Sequence, residues 1–396
     1  MKLLRKKLKN GMTVLMEKRE LPVVSFCIAN KIGGSYEDSK TKGIAHFIEH
    51  LLFTGTKTRN HEDISREIEK KGGVMNAFTS HEVTSFHFKL PSEHLFSGMD
   101  ILIDMLNNSI MDEEKFEKEK KVILEEIKMY HDSPRMHASN LLEQNLYAKP
   151  FGELVIGTKE SVSNLKRDFV YKYYKERYCP SNYVAVVVGD ADFEKVCDKL
   201  EKAFEKKEFN FNPVEIKKQN KSVVEKRKGI DQAHFVFGMH APLDEKEFEA
   251  MQLLNMYLAN GMSSRLFLKI REEKGLAYSV RGDVSREKNY GYYYIYVGTK
   301  KEAVEEVKKI ILDEFKKVDK MTEKDLEEAK TRIIGLRRLS SEESGDVMNE
   351  LLFTEAMTGR AEDYYDFEER IRKIKLSDVK KVAKIKEYST VAVVPE

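Results

Sequence analysis

The sequence predicts an α+β fold made of two homologous halves, each a mainly antiparallel sheet packed with helices. Three observations support this prediction. A chain of 396 residues is too long for a single hydrophobic core. Short β-rich stretches alternate with longer stretches of helical periodicity. The order of these elements also recurs at an offset of about 207 to 209 residues, which indicates an internal repeat.

The first elements are predicted from turn residues and periodicity. Asn10-Gly11 supplies the positive φ values of a tight turn, so residues 3–8 and 12–17 form a hairpin. A buried strand over 23–31 is broken by Gly33-Gly34-Ser35. The elements expected after it are a helix up to Gly55, a helix over 61–71, strand-like residues over 74–90, helices over 92–107, 113–131 and 135–147, a buried strand over 183–188 and a helix over 192–205.

A change in composition separates the two predicted halves. Residues 206–228 are rich in Asn, Gln and Lys, as in a polar linker. Beyond them, Phe235 corresponds to Phe26, 293–298 to 86–91 and 391–394 to 184–187. We therefore predict an N-terminal domain over 1–208, a linker over 209–228 and a C-terminal domain over 229–396.

Composition excludes several classes of function. The 69 basic and 67 acidic residues nearly cancel, which gives no global case for binding nucleic acid or a membrane. No signal-peptide core or membrane-spanning apolar run is expected. The three cysteines lack metal-binding spacing and are interpreted as free thiols. These features lead us to expect a cytoplasmic protein.

The motif His46-Phe-Ile-Glu49-His50 is the strongest functional signal. On a helix, His46 and His50 lie one turn apart on one face, with Glu49 beside them. Imidazoles suit zinc, and an adjacent carboxylate can act as a base, as in the inverzincin pattern. The alternative is an amphipathic helix with two satisfied histidines. The repeat argues against it, because a shift of 208 residues replaces the three polar residues with Leu254, Tyr257 and Leu258.

A catalytic zinc site usually needs a third protein ligand, and the predicted helix over 113–131 is the best source. On this helix Glu126 shares a face with Glu119, Val122 and Ile123, whereas Glu125 lies on the charged face. Glu126 is therefore predicted to point inward and Glu125 towards water. The spacing leaves open that Glu119 and Glu126 are surface acids on a charged helix.

In these and several other segments, the chain resembles the pitrilysin or insulinase-like M16 metallopeptidases, in particular the short members related to mitochondrial processing peptidase. The resemblance implies that His46, His50 and Glu126 bind Zn²⁺, that Glu49 is the general base and that Glu119 is a second acid supporting the site. It rests on Gly34-Ser-Tyr-Glu37, the run Gly43–Thr56 around the histidines, Asn76-Ala-Phe-Thr79, Glu119–Glu126 and Asn182-Tyr-Val184.

The run Ser264–Ser279 also resembles a family segment whose Arg and Tyr reach the substrate, here Arg271 and Tyr278. The phenol would donate to the oxyanion, and the guanidinium would hold a substrate carbonyl. Without the resemblance, Tyr278 as core packing and Arg271 as a solvated charge would be favoured. The substrate is expected to lie along the strand that contains Asn76, Ala77, Phe78 and Thr79.

The predicted function is a zinc-dependent endopeptidase that hydrolyses extended or unfolded peptides inside a chamber formed by two-domain units. The family pattern implies that the two halves close like a clamshell around the peptide. It also implies a homodimer, or a heterodimer with a related subunit, without nucleic acid or membrane. The alternative function is a non-catalytic scaffold or assembly subunit of the same family, although such proteins usually lose ligands that are present here.

Overall fold

The structure is a computed structural model that describes residues 3–210 and 212–396. Met1, Lys2 and Phe211, the last of which belongs to the predicted linker, lie outside the described residues. The chain divides into two compact units. The first comprises the chain up to Ile127, Leu154–Val214 and Ser340–Tyr364. The second comprises Lys128–Glu153, Glu215–Leu339 and Tyr365–Glu396.

Groups of strands alternate with groups of helices along the described chain. The strands are β1 (Leu3–Lys7), β2 (Thr13–Lys18), β3 (Val23–Asn30), β4 (Val74–Thr79), β5 (Thr84–Pro91), β6 (Tyr183–Gly189), β7 (Val223–Arg227), β8 (Ala233–His240), β9 (Ala277–Arg286), β10 (Gly291–Thr299) and β11 (Ser389–Pro395). The α-helices are α1 (Ile44–Leu52), α2 (His61–Glu69), α3 (Leu95–Asn108), α4 (Glu113–Asp132), α5 (Pro134–Leu146), α6 (Lys159–Asn164), α7 (Arg167–Arg177), α8 (Phe193–Ala203), α9 (Glu245–Leu258), α10 (Val304–Lys317), α11 (Glu323–Ser340), α12 (Ser344–Thr358), α13 (Phe367–Lys373) and α14 (Leu376–Val382).

Each unit contains one mixed sheet, and the two sheets have corresponding strand orders. The first is β1-β2-β6-β3-β5-β4 and the second is β7-β11-β8-β10-β9. β2 with β6, and β7 with β11, are parallel, and the other neighbouring pairs are antiparallel. The predicted fold class of two related, mainly antiparallel α+β halves is therefore confirmed.

The units do not coincide with the predicted contiguous domains 1–208 and 229–396, because each unit includes a helical segment from the other half. In the first unit α12 packs on β3 and β6, where the Ser344 and Ser25 hydroxyls are 2.8 Å apart. In the second unit α5 packs on β8 and β11. A Cβ on Gly238 would lie 2.6 Å from the Leu142 side chain, so the glycine permits this close approach. Periodicity predicts a helix but not the sheet that it covers.

The predicted linker over 209–228 also differs from the structure. Its last part forms β7, which pairs in parallel with β11 over Val223–Arg227. The alternating exposure of β7 is typical of a sheet edge, and its charged side chains hide the strand pattern in the composition. The polar composition of this stretch therefore reflects an edge strand as well as a connection.

A separate hydrophobic core lies in each unit. Leu254 and Leu258, at the positions that correspond to the first-half histidine motif, are fully buried in the second core. The second half therefore uses these positions for packing, as the repeat predicts. Among residues 3–210 and 212–396, we find no helix with both the length and the apolar run needed to cross a bilayer.

Candidate metal centre

Helix α1 carries the His-x-x-Glu-His motif on the face opposite its apolar stripe. Ile44, Phe47, Ile48 and Leu51 are fully buried in the first core. They recur with the helical period, so the core holds one side of α1 and leaves the motif on the other. The rings of His46 and His50 are consequently neighbours, with centroids 4.7 Å apart.

The start of α1 is capped by a residue that sequence reasoning did not assign a role. Gly43 occupies the N-cap at φ +91° and has no side chain to cap the helix. The carboxylate of Glu37 accepts hydrogen bonds from the Gly43 and Ala45 amides at 3.0 and 2.9 Å. These amides have no partner within the helix, and a negative charge there also complements the helix dipole. Glu37 therefore anchors the turn that immediately precedes His46.

Glu37 is fully buried, and burial raises its pKa, although Lys42 and the two amides oppose this effect. Its charge partner is the equally buried Lys42, whose Nζ lies 3.8 Å from the carboxylate and donates to the Gly34 carbonyl at 3.1 Å. The motif Gly34-Ser-Tyr-Glu37 was the only sequence signal for this arrangement. The role of Glu37 as a cap depends on hydrogen bonds to amides six and eight residues further along the chain, which no local pattern predicts.

Helix α4 is positioned against α1 by stacking of Phe116 on Phe47, with ring centroids 4.7 Å apart. Nearly three turns further along α4, Glu126 is half-buried, whereas Glu125 is exposed, as the helical spacing predicts. Val122 was placed on the inward face, and this was wrong, because its side chain is 44% exposed. The inward face of α4 is therefore narrower than the apolar pattern suggests.

The structure brings His46, His50 and Glu126 together, with ligand atoms all within 4.8 Å of one another. Glu126 Oε2 lies 3.7 Å from His46 Nε2 and 3.6 Å from His50 Nε2. These separations are too long for hydrogen bonds, and this buried oxygen has no hydrogen-bond partner among the described residues. Tetrahedral zinc, with bonds of about 2.0 to 2.2 Å, separates its ligand atoms by roughly 3.3 to 3.6 Å. The donor set and its spacing therefore fit zinc.

The electrostatics of the site distinguish the two histidines. Burial lowers the pKa of His50, but the hydrogen bond with Glu119 and the charges of Glu126 and Glu49 outweigh burial and raise it to about 9. Burial, together with the charge of His50, lowers the pKa of His46. Interaction with His50 lowers the pKa of Glu126. A cation on His50 Nε2 therefore replaces a proton, so its binding weakens as the pH falls.

Glu119 lies behind His50, with its Oε2 3.2 Å from His50 Nδ1. This contact orients the ring so that Nε2 faces Glu126. Carboxylates commonly support metal-binding histidines in this way and increase the basicity of the ring. The 3.2 Å contact is the kind that a supporting acid makes.

Glu49 lies beside the three-donor cluster without belonging to it. Its Oε2 accepts a hydrogen bond of 2.5 Å from the Thr79 hydroxyl. Burial raises the pKa of Glu49, whereas Thr79 and His50 lower it. Thr79 was predicted as a substrate contact, and its hydroxyl is here used to orient Glu49.

The predicted substrate strand is β4, at the edge of the first sheet, where it pairs with β5. Asn76 is exposed, whereas Ala77, Phe78 and Thr79 are partly buried. Phe78 stacks on Phe353 of α12 at a centroid distance of 5.7 Å. The edge strand is thus supported from behind by a helix from the distant part of the chain.

Arg271 and Tyr278 belong to the second unit and lie together there. Arg271 is in a π-helical segment, Phe267–Glu273, and Tyr278 is near the start of β9. The guanidinium carbon is 5.0 Å from the centre of the Tyr278 ring. Tyr278 is 82% exposed, so the interpretation of this residue as core packing is wrong. Its exposure instead suits contact with a ligand.

Comparison with known proteins agrees with the fold and identifies the family. The family model described as "Insulinase (Peptidase family M16)" matches residues 13–159, and that described as "Peptidase M16 inactive domain" matches residues 164–333. The chain therefore belongs to the M16 peptidase family. The first match contains the histidine motif and Glu126, and the second contains Arg271 and Tyr278.

Relatives and solved structures extend this similarity over the whole chain. A protein named an uncharacterized zinc protease from Streptomyces coelicolor is 33% identical over 95% of this chain and 85% of its own length. The uncharacterized zinc protease YmxG from Bacillus subtilis is 32% identical over 87% of each chain. A crystal structure of a protease from Helicobacter pylori, 23% identical, superimposes with a TM-score of 0.92 over 100% of this chain and 99% of that chain. This last comparison supports the fold.

Proposed function

We propose that the chain is a zinc-dependent endopeptidase that hydrolyses extended or unfolded peptides. The observation that carries this proposal is the convergence of His46, His50 and Glu126 at zinc-ligand spacing, with Glu49 beside them. When bound, zinc supplies Lewis acidity towards the scissile carbonyl and makes a water molecule more acidic. Relatives named as zinc proteases support the same cation and reaction class.

In this proposal Glu49 is the general base. Its carboxylate accepts a proton from the attacking water and then delivers it to the leaving amine, so the residue is regenerated at the end of each turnover. Two features support the role: burial raises its pKa, and the Thr79 hydroxyl limits its rotation. Glu119 holds His50 in the orientation that directs Nε2 towards the cation.

Substrate selection in this proposal depends on the peptide main chain. The outer edge of β4 offers backbone groups to an extended peptide that adds a strand next to it. A folded protein does not present such a strand, so unfolded segments are preferred. Two further features stay predictions. One is closure of the two halves around the peptide, and the other is pairing with a second copy or a related subunit.

Removal of the metal tests the proposal directly. The purified protein is expected to contain about one zinc ion per chain and to cleave peptides from a mixed pool. A chelator should abolish cleavage, and zinc should restore it, whereas magnesium should not, because the hard cation prefers oxygen ligands. Elemental analysis and mass spectrometry of the products provide the measurements. Undiminished cleavage after removal of the metal contradicts the proposal, and a protein with neither metal nor cleavage fits the alternative of an assembly subunit.

Tyr278 is proposed to donate a hydrogen bond to the oxyanion that forms at the scissile carbonyl. Tyr278→Phe removes the hydroxyl and keeps the ring over Arg271, so kcat is expected to fall by about 100-fold with little change in KM. Steady-state kinetics on one fluorogenic peptide provide the measurement. A matched control is Tyr388→Phe, which removes a hydroxyl outside the cavity that contains Tyr278. An unchanged kcat for Tyr278→Phe would remove this residue from the mechanism.

A further inference from the structure

The second unit contains an open cavity of about 610 Å³ beside Arg271 and Tyr278. Its walls include Arg135 from α5, Arg281 and Asp283 from β9, and Tyr296 from β10. This volume lies within the usual range for ligand sites, about 300 to 1,000 Å³. The cavity is therefore large enough for a side chain or the end of a peptide.

Three guanidinium groups and one carboxylate line this cavity, namely those of Arg135, Arg271, Arg281 and Asp283. Within the described part of the chain, neither Arg135 nor Arg281 forms an ion pair, and both are exposed. Some other arginines of the same unit are paired, as Arg265 is with Glu314 at 2.6 Å and Arg271 of this cavity is with Glu272 at 3.5 Å. The cavity therefore carries an excess of positive charge that the protein itself does not neutralise.

Arg135 and Arg281 both neighbour Tyr296 in the wall of this cavity. Arg135 lies over the Tyr296 ring, with its guanidinium carbon 4.8 Å from the ring centre. Arg281 is directly opposite Tyr296 in the β9–β10 pairing, so the two side chains share a face of the sheet. Tyr296 therefore lies under the Arg135 guanidinium and across the strand pair from Arg281. Arg271 enters from another side on its π-helical segment, a type of distortion that often occurs at functional sites.

We propose that this cavity is a subsite for a carboxylate of the peptide substrate, and that Arg135 and Arg281 determine the preference for it. The inference rests on the proposed peptidase function, to which it adds a substrate class: peptides with an acidic side chain or a free C-terminus that enters this cavity. Guanidinium groups bind carboxylates through paired charge-assisted hydrogen bonds. A bound carboxylate would also reduce the repulsion among three like charges.

A binding experiment with the Glu49→Gln protein tests the subsite without interference from cleavage. The probes are two pairs of short fluorescein-labelled peptides, one with Glu or Gln at an interior position and one with a free or an amidated C-terminus. In at least one pair, the peptide with the extra carboxylate is expected to bind about tenfold more tightly, measured by fluorescence anisotropy. The pair that shows the preference identifies the source of the carboxylate. Equal binding within both pairs would overturn the proposal.

Substitutions at the two unpaired arginines show whether these residues cause the preference for the peptide with the extra carboxylate. Arg281→Gln and Arg135→Gln, each introduced into the Glu49→Gln protein, should lower the tenfold ratio to about threefold or less while neutral peptides bind as before. Arg66→Gln is the matched control, because Arg66 is an exposed arginine of α2 and forms no ion pair among the described residues. Thermal unfolding checks that the variants are folded. A ratio that survives both cavity substitutions would overturn the assignment.

Cleavage assays on the protein with Glu49 intact show whether the carboxylate subsite and the peptidase activity occur together or separately. Efficient cleavage without a carboxylate preference in binding or in kcat/KM would contradict the proposed subsite and support the proposed peptidase function. A carboxylate preference in binding without any cleavage would support the proposed subsite and contradict the proposed peptidase function. The preference should also weaken as ionic strength rises, because salt screens exposed charges.

Discussion

Glu49→Gln is expected to lower kcat on any cleaved peptide by about 1,000-fold, because the amide cannot accept the proton of the attacking water. Glutamine has nearly the same shape, and its carbonyl oxygen can still accept the hydrogen bond from Thr79. The three converging donors do not include Glu49, so the variant should bind zinc with the affinity of the unaltered protein. Loss of turnover with full metal content is the signature of a base.

Two measurements on the same preparation make this prediction decisive. Elemental analysis reports the zinc content, and product formation reports the turnover. The matched control is Glu125→Gln, the same chemical change one residue before Glu126, on the exposed face of α4. Hydrolysis by Glu49→Gln at the rate of the unaltered protein would exclude the residue as the base, whatever its metal content.

His50→Ala should have the opposite signature, with loss of the metal itself. The substitution removes one of three donors and also leaves Glu119 without its 3.2 Å contact to the ring. Loss of a supporting contact alone typically costs 10- to 100-fold in metal affinity, so we expect loss of the donor to cost more than about 100-fold. Peptidase activity should then fall to background at ordinary zinc concentrations.

A thermal unfolding scan with and without zinc provides an independent measurement for His50→Ala. Zinc at 100 times its dissociation constant should stabilise the unaltered protein by about 2.7 kcal/mol, whereas the variant should show a much smaller shift. His61→Ala is a suitable control, because His61 is exposed at the start of α2 and lies outside the donor cluster. A full zinc-dependent shift in His50→Ala would contradict the assignment of His50 as a ligand.

The pair of substitutions separates two explanations that activity measurements alone confuse. If both variants lose activity but only His50→Ala loses the zinc-dependent shift, the roles of base and ligand are distinguished. If both lose the shift, Glu49 contributes to metal binding, and the proposed division of labour is wrong. The distinction is available because Glu49 is hydrogen-bonded to Thr79 and is not one of the three converging donors.

Much of the site could be predicted from sequence because its parts are local. The four-residue spacing of His46 and His50 is one helical turn, and α1 forms where that spacing requires it. Helical periodicity also distinguished Glu126 from Glu125, because adjacent residues on a helix face different directions. The same argument was wrong for Val122, which is apolar but exposed. Periodicity indicates which side of a helix is buried, but it does not indicate how wide the buried side is.

Other features depend on contacts between residues far apart in sequence. Thr79 meets Glu49 across 30 residues, and Glu37 caps α1 although it precedes the helix by several residues. The exposure of Tyr278 depends on what surrounds the start of β9, so an aromatic residue in a strand was a poor guide to burial. None of these features leaves a periodic signal, since each depends on residues that are not neighbours on one helix or strand.

The sequence by itself determined most of the elements, the internal repeat and the pairing of His46 with His50 on one helix face, because each follows from the spacing of neighbouring residues along a helix or strand. Glu126 as the third donor was implied by the resemblance to the family. Only the tertiary structure decided which sheet each helix covers. It assigned residues 128–153 to the second unit and 340–364 to the first, and it placed two unpaired arginines, Arg135 and Arg281, around one cavity. The reason is physical: hydrogen bonding and side-chain periodicity act locally, whereas packing of an apolar face selects among distant partners that the sequence alone does not rank.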